Sequence, residues 1–196
     1  MVRRNDERRA ALVDGAIEVL AREGARGLTF RAVDAEAGVP AGTASNYFTS
    51  RDDLLTQAGA RVYERLQPDE ATIARQRAST RDGETYAVLM CELVGRISDF
   101  RTGYLALLEL RLEATRRPQL RAVLTEQVRA DLEANVAYHE ETGLPGDATA
   151  VQLLYLTLNW LIVEQLTLPD VLSEAERERL VTAAVERLTT SLPHSG

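Results

Sequence analysis

Apolar positions along this chain return almost everywhere with a helical period, and no stretch alternates convincingly as a strand would. Between Asn5 and Glu23 they fall at Leu12, Val13, Ala16, Ile17 and Leu20, one stripe of a helix that Asn5 can cap and Gly24 can end. Thr29 is a good cap for the next helix, and Leu28 can staple onto Val33 four positions into it. That helix is short, closing at Ala37 before Gly38. Ser50 and Asp53 form a capping-box pattern ahead of Leu54 and Leu55, which predicts a fourth helix reaching Leu66. Pro68 marks a boundary, and residues 67–82 are polar without a firm period. Four longer helices are expected at about 84–99, 102–116, 118–141 and 147–167, with a breaker at 142–146, and a last one from Ser173 to about Ser191. The expectation is an all-α protein with an N-terminal three-helix domain over residues 6–66 and a second helical domain over residues 67–196.

Residues 41–48 break the pattern. They carry almost no long apolar side chain, only Gly42, Thr43, Ser45, Asn46 and Tyr47 around Ala44, with Phe48 at the end. A helix over 29–37, a tight turn at Gly38 and a second short helix over 41–48 make a helix-turn-helix spanning about 29–48. In that motif the second helix lies in the DNA major groove, where short side chains permit close approach and donors and acceptors read base edges. Val39, Ala44 and Phe48 supply the inward side, packing on Phe30 and Val33. Asn46 can pair with adenine and Ser45 with several bases, whereas Thr29, Ser50 and Arg51 suit phosphate oxygens. A plain helical hairpin with a solvated polar surface is the other reading of the same pattern.

Charge sharpens this. The 196 residues are 45% hydrophobic and 27% charged, with a net charge of −7. All 23 positive side chains are Arg, the type suited to bidentate contacts with phosphate. Residues 1–65 hold ten Arg and ten acids; the remainder holds thirteen Arg and twenty acids. Only the N-terminal third is not repelled by a polyanion, and Arg3, Arg4, Arg8 and Arg9 cluster there. The lone Cys91 excludes an internal disulfide. No apolar leader opens the chain, and Val151–Leu168 is interrupted by polar residues, so a cytoplasmic location without a membrane partner is expected.

The stretch LTFRAVDAEAGVPAGTASNYFTSRDDLL closely resembles the DNA-binding domain of the TetR family of bacterial transcriptional regulators. The matching residues are Thr29, Val33, Ala37-Gly38-Val39, Gly42-Thr43, Tyr47-Phe48, Arg51-Asp52-Asp53 and Leu54, within a likeness over roughly residues 6–66. The resemblance implies a ligand-responsive, sequence-specific regulator: a homodimeric repressor that binds double-stranded operator DNA and is released by a small-molecule effector. The expected DNA contacts are Arg4, Thr29, Arg31, Gly42, Thr43, Ser45, Asn46, Tyr47 and Arg51. Three departures stand out. Ser45 and Asn46 replace the aromatic or basic residues many members carry, so no operator carries over. Pro40 stands where a Ser or Thr usually caps the recognition helix, an expected loss of about 1 kcal/mol. Asp34 stands where a small residue is usual, and either caps locally or meets Arg31.

The remaining two thirds yield less. Helix 147–167 is apolar almost all round and must be covered on more than one side. With the stripe of the last helix it forms, by the resemblance, a four-helix dimer interface, expected at Leu158, Leu161, Ile162, Leu180, Val181, Ala184, Val185 and Leu188; an ordinary monomer core is the other reading. Tyr104, Leu107, Leu108 and Arg111 share one face, Tyr86 and Met90 another, and Tyr155 and Asn159 are paired at i, i+4. These eight line either an effector pocket or a core, with Arg111 meeting an effector oxygen or a structural acid. No catalytic constellation, metal-ligand spacing or phosphate loop appears, so neither enzyme chemistry, metal nor cofactor is expected. A helical small-molecule binder without operator binding, and an adaptor that uses its N-terminal domain on a protein, remain open beside the regulator.

Overall fold

The computed structural model describes residues 2–189, with side chains from Asp6 onward. Among these residues there are ten helices and no strand. They are α1 (Val2–Gly27), α2 (Phe30–Glu36), α3 (Ala44–Tyr47), α4 (Arg51–Leu66), α5 (Glu70–Ala78), α6 (Gly83–Asp99), α7 (Arg101–Ala114), α8 (Pro118–Thr142), α9 (Ala148–Thr167) and α10 (Glu174–Thr189). The all-α expectation holds. Helix α1 already runs from Val2, so Asn5 is not its cap; no breaker precedes it to stop the helix. Gly24 does interrupt α1, with φ 68°, a conformation that L side chains rarely adopt. Helix α5 is an addition. It is capped by Asp69, which accepts from the Thr72 N–H at 2.8 Å, but buries no residue, and so left no apolar period to read.

Contacts divide the chain into two compact units, and not at residue 67 alone. One unit holds residues 1–67 and 100–128; the other holds 68–99 and 129–196. In the first, Leu12, Ile17 and Leu20 of α1 close a core with Val33, Ala44, Phe48, Leu54 and Leu55. Leu107 and Leu110 of α7 and Leu120 of α8 belong to the same core, so the DNA-binding-type helices do not finish their core by themselves. Polar ties follow the packing. Asp14 accepts from Arg61 at 3.1 Å and Arg65 at 3.3 Å, and the Arg65 guanidinium lies 4.0 Å over the Phe100 ring. The second unit packs α6, α9 and α10 around Tyr86, Ala87, Leu144, Leu154 and Val185. No helix of the described residues is long and apolar enough to cross a membrane.

Candidate nucleic-acid interface

Local chemistry builds the 29–48 segment in steps. Thr29 is extended, and its Oγ1 accepts from the Ala32 N–H at 3.1 Å, starting α2 as its residue type requires. The helix ends at Ala37, and Gly38 turns the chain with φ 64°. Gly42 turns it again with φ 89°, after which α3 occupies one turn. The inner side of this turn is sealed: Ala44 is fully buried and Phe48 nearly so, with Phe30 and Val39 packed against the same core. The outer side carries Gly42, Ser45 and Asn46 exposed and Thr43 and Tyr47 half-buried; Thr29 and Arg31 are exposed on α2 and its cap. The Arg4 side chain lies outside those described. The Thr43 hydroxyl donates to the Pro40 carbonyl at 2.5 Å and the Ser45 hydroxyl to Gly42 O at 2.8 Å, leaving oxygen lone pairs outward.

The missing cap is replaced. Asp34 is 2% exposed, and its Oδ2 and Oδ1 accept from the Gly42 and Ala44 N–H groups, both at 2.7 Å. It does not turn to Arg31. A carboxylate from α2 thus does across the turn what Pro40 cannot do locally, which removes the expected loss of a cap. Ser50 caps α4 as expected, accepting from the Asp53 N–H at 3.1 Å, but the returning limb of the box is shifted by one residue: Asp53 Oδ2 accepts from the Thr49 N–H at 2.9 Å. Burial pushes the Asp53 carboxyl upward, yet the bonds from the Thr49 N–H, Gln57 and the Thr49 hydroxyl outweigh it and hold the group below its ordinary value.

Two arginines sit where residue type alone did not put them. Arg51 turns inward: its Nη2 donates to the Ala25 carbonyl in the last turn of α1, which also accepts from the Leu28 N–H at 3.3 Å, and its Nε is buried without a partner. Half-buried in this way, it holds α4 to α1 instead of presenting its fork to phosphate. Arg9, by contrast, stands 5.7 Å over the Tyr47 ring and 5.4 Å over Phe48, and donates to Gln57 Oε1 at 3.2 Å. Gln57 in turn donates to Asp53 at 2.7 Å, so one chain of contacts runs from α1 through the end of α3 to α4. Sequence spacing could not pair residues 9, 47 and 57; the Arg cluster at the N-terminus was the only signal.

The family models decide what this arrangement belongs to. Residues 12–58 match the model of bacterial regulatory proteins of the tetR family, and residues 81–191 match the tetracycline-repressor-like C-terminal domain. The chain belongs to the TetR family. Solved structures agree with this fold. A member of the family from Streptomyces coelicolor shares 30% identity, with 94% of this chain and 99% of that one covered and a TM-score of 0.67. The multidrug binding protein EbrR in complex with ethidium shares 31% over 93% and 98% of the two chains, with a TM-score of 0.62. A TetR-family regulator from Mesorhizobium loti matches the fold at 19% identity over 94% and 96%, with a TM-score of 0.76. No curated protein matches.

Within this TetR-family chain the expected effector wall is divided between the two units. Tyr104, Leu107, Leu108 and Arg111 lie in the first; Tyr86, Met90, Tyr155 and Asn159 lie in the second. Leu107 and Tyr104 are buried in the first unit, where burial above all pushes the Tyr104 hydroxyl up to about 12. Leu108 is half-buried, and Arg111 is exposed: at position 111 the α7 surface faces solvent, so it is neither the buried ion pair nor the buried anion hook expected of it. Tyr86 is core, its hydroxyl also raised to about 12 by burial, with Met90 packed beside it. Tyr155 is half-buried, and its carbonyl accepts from the Asn159 side chain at 2.7 Å. A cleft of about 670 Å³ does occur in the first unit, lined by Asp6, Arg9, Val13, Arg61 and Tyr63 among others, but by none of these eight.

The eight residues expected at a dimer face differ in how far the single chain already covers them. Leu158, Ile162, Val181 and Val185 are buried within the single chain, Val185 in the core of the second unit. Leu161, Ala184 and Leu188 are half-buried. Leu180 alone of the eight is among the exposed apolar side chains, which on α9 are Leu153, Leu156 and Trp160.

Proposed function

We propose that this chain works as a homodimeric, sequence-specific repressor that leaves its operator when a small molecule binds. What carries the DNA half of this reading is the two-sidedness of 42–48: Ala44 and Phe48 seal the inner side, and the outer side presents Ser45 and Asn46 exposed beside a half-buried Tyr47. Ser45 and Asn46 read base edges; Gly42 and Thr43 allow the close approach. Thr29, Arg31, Tyr47 and Arg4 hold the phosphates that set the register. Arg51 stays behind this surface and supports it. Two copies place two such helices on half-sites about one helical turn apart. The likeness to a multidrug binding protein crystallised with ethidium supports a small-molecule effector.

The test uses a duplex selected by the protein from a randomised pool. Asn46→Ala should relax preference at one base pair by about 1–3 kcal/mol, while Arg31→Ala weakens all duplexes and flattens the salt slope by about 0.9. If both lose affinity with preference unchanged, Asn46 does not read a base. A reporter behind the selected duplex should be silent with the protein present and recover with an effector; a reporter raised by the protein makes it an activator.

A further inference from the structure

The short helix α3 cannot satisfy all of its first N–H groups: the Asn46 N–H reaches the Thr43 carbonyl at 3.0 Å, but a single turn leaves the Ala44 N–H at its start without a carbonyl partner. Thr43 at its start makes no side-chain cap bond, and Pro40 has neither a hydroxyl nor an N–H to offer. Gly42 has a positive φ and open space where a side chain would stand, so no packing holds it. Three hydrogen bonds that tie this loop to α2 converge on one residue. The Asp34 carboxylate takes the Gly42 and Ala44 N–H groups, and the Asp34 backbone carbonyl takes the Val39 N–H at 3.0 Å.

We propose that Asp34 is a positioning residue for base readout: by fixing residues 39, 42 and 44 it sets the orientation in which Ser45 and Asn46 are presented to DNA. The proposal rests on the DNA-binding reading above and assigns its specificity to a residue that touches no DNA. A carboxylate bound to main-chain N–H groups at a helix start is a strong, charge-assisted arrangement, and the helix dipole favours the negative charge there. It also occupies two donors that would otherwise attract phosphate. Its contribution therefore falls on discrimination between sequences, which needs a fixed geometry, and not on the phosphate contacts that any duplex supplies.

The experiment measures the affinity of the full-length protein for its selected duplex and for a scrambled duplex of equal length, across a salt series, in the unaltered protein, Asp34→Ala and Asp34→Asn. Asp34→Ala should lose at least tenfold on the selected duplex, change less than twofold on the scrambled one, and keep the salt slope. Asp34→Asn has one carbonyl oxygen in place of two, so it should lie between. Amide exchange should quicken at Gly42 and Ala44 in the alanine variant and stay unchanged at Val33 and Ala37. A selected-to-scrambled ratio within twofold of the unaltered protein overturns the proposal, as do equal losses on both duplexes or undisturbed Gly42 and Ala44 amides. Should the alanine variant fail to fold, the asparagine variant decides on the same ratio. An unaltered protein that selects no duplex removes the DNA-binding reading and this proposal together, whereas selection without dependence on Asp34 removes the proposal alone.

Discussion

A guanidinium turned away from water must find acceptors, and Arg51 finds one in the Ala25 carbonyl, where α1, already interrupted at Gly24, runs out at Gly27. Glu109 of α7 closes the same gap from the other side, accepting from the Ala25 N–H at 3.0 Å. The backbone of one residue, Ala25, is thus held at its carbonyl by the first residue of α4 and at its N–H by α7. Arg51→Met should cost about 1.5–3 kcal/mol of stability, the range for a bond made by a charged group. Urea melts would show it, while the salt slope of DNA binding by the folded variant should equal that of the unaltered protein. A flattened slope at full stability would return Arg51 to the phosphate backbone. The residue chemistry of α2 and α4 was legible because a cap and its target lie within three or four positions: Thr29 with Ala32, Ser50 with Asp53. Arg51, Arg9 and Asp34 were not. Their partners lie 26, 48 and 8 to 10 positions away, and a residue type states what it can bond without stating which acceptor the fold brings near.

At the scale of elements, period and punctuation placed nine of the ten described helices, and the places where they failed share a cause. Periodicity reports that a face is covered, never by which neighbour. Helix α7 shows an apolar stripe whichever core receives it, and here Ala106, Leu107 and Leu110 complete the core of α1 and α4. Close approach leaves a subtler trace, in glycines within helices. Gly103, in the first turn of α7, lies under the Phe100 ring, and a methyl group there would collide with it; Gly95, inside α6, has nothing within 4 Å of where a methyl would stand. The same substitution should therefore have opposite signs. Gly95→Ala should raise stability by about 0.5–1 kcal/mol through helix propensity. Gly103→Ala should lower it by about 1–3 kcal/mol, because the ring must leave its place beneath Arg65. Thermal melts of the two variants check both; a stabilised Gly103→Ala would mean that the ring moves aside freely.

For the whole molecule, the apolar side chains left uncovered matter more than those buried. A single chain leaves Trp160 67% and Leu156 64% exposed on α9, with Leu153 on the same helix and Leu180 on α10 also exposed. Leu153, Leu156 and Trp160 follow one another at i, i+3 and i+7, so they form one stripe along the helix. An apolar stripe of this size facing water is the signature of a surface that meets a partner, and a two-fold axis lets one copy of the chain cover another with the same stripe. The buried residues of the same helices have a different task. Val185 has no exposed surface and closes the core with Leu154 and Tyr86. Whether a residue of α9 serves the core or the partner depends on about 100° of rotation around the helix, which its almost wholly apolar sequence does not encode. Two substitutions tell the roles apart. Trp160→Glu should leave the helical content of the chain intact and convert dimers to monomers in sedimentation, with loss of the affinity that two half-sites supply. Val185→Asp should instead unfold the second unit, since it buries a carboxylate among apolar side chains. If Trp160→Glu remained dimeric and bound the selected duplex as before, the subunits would meet through another surface.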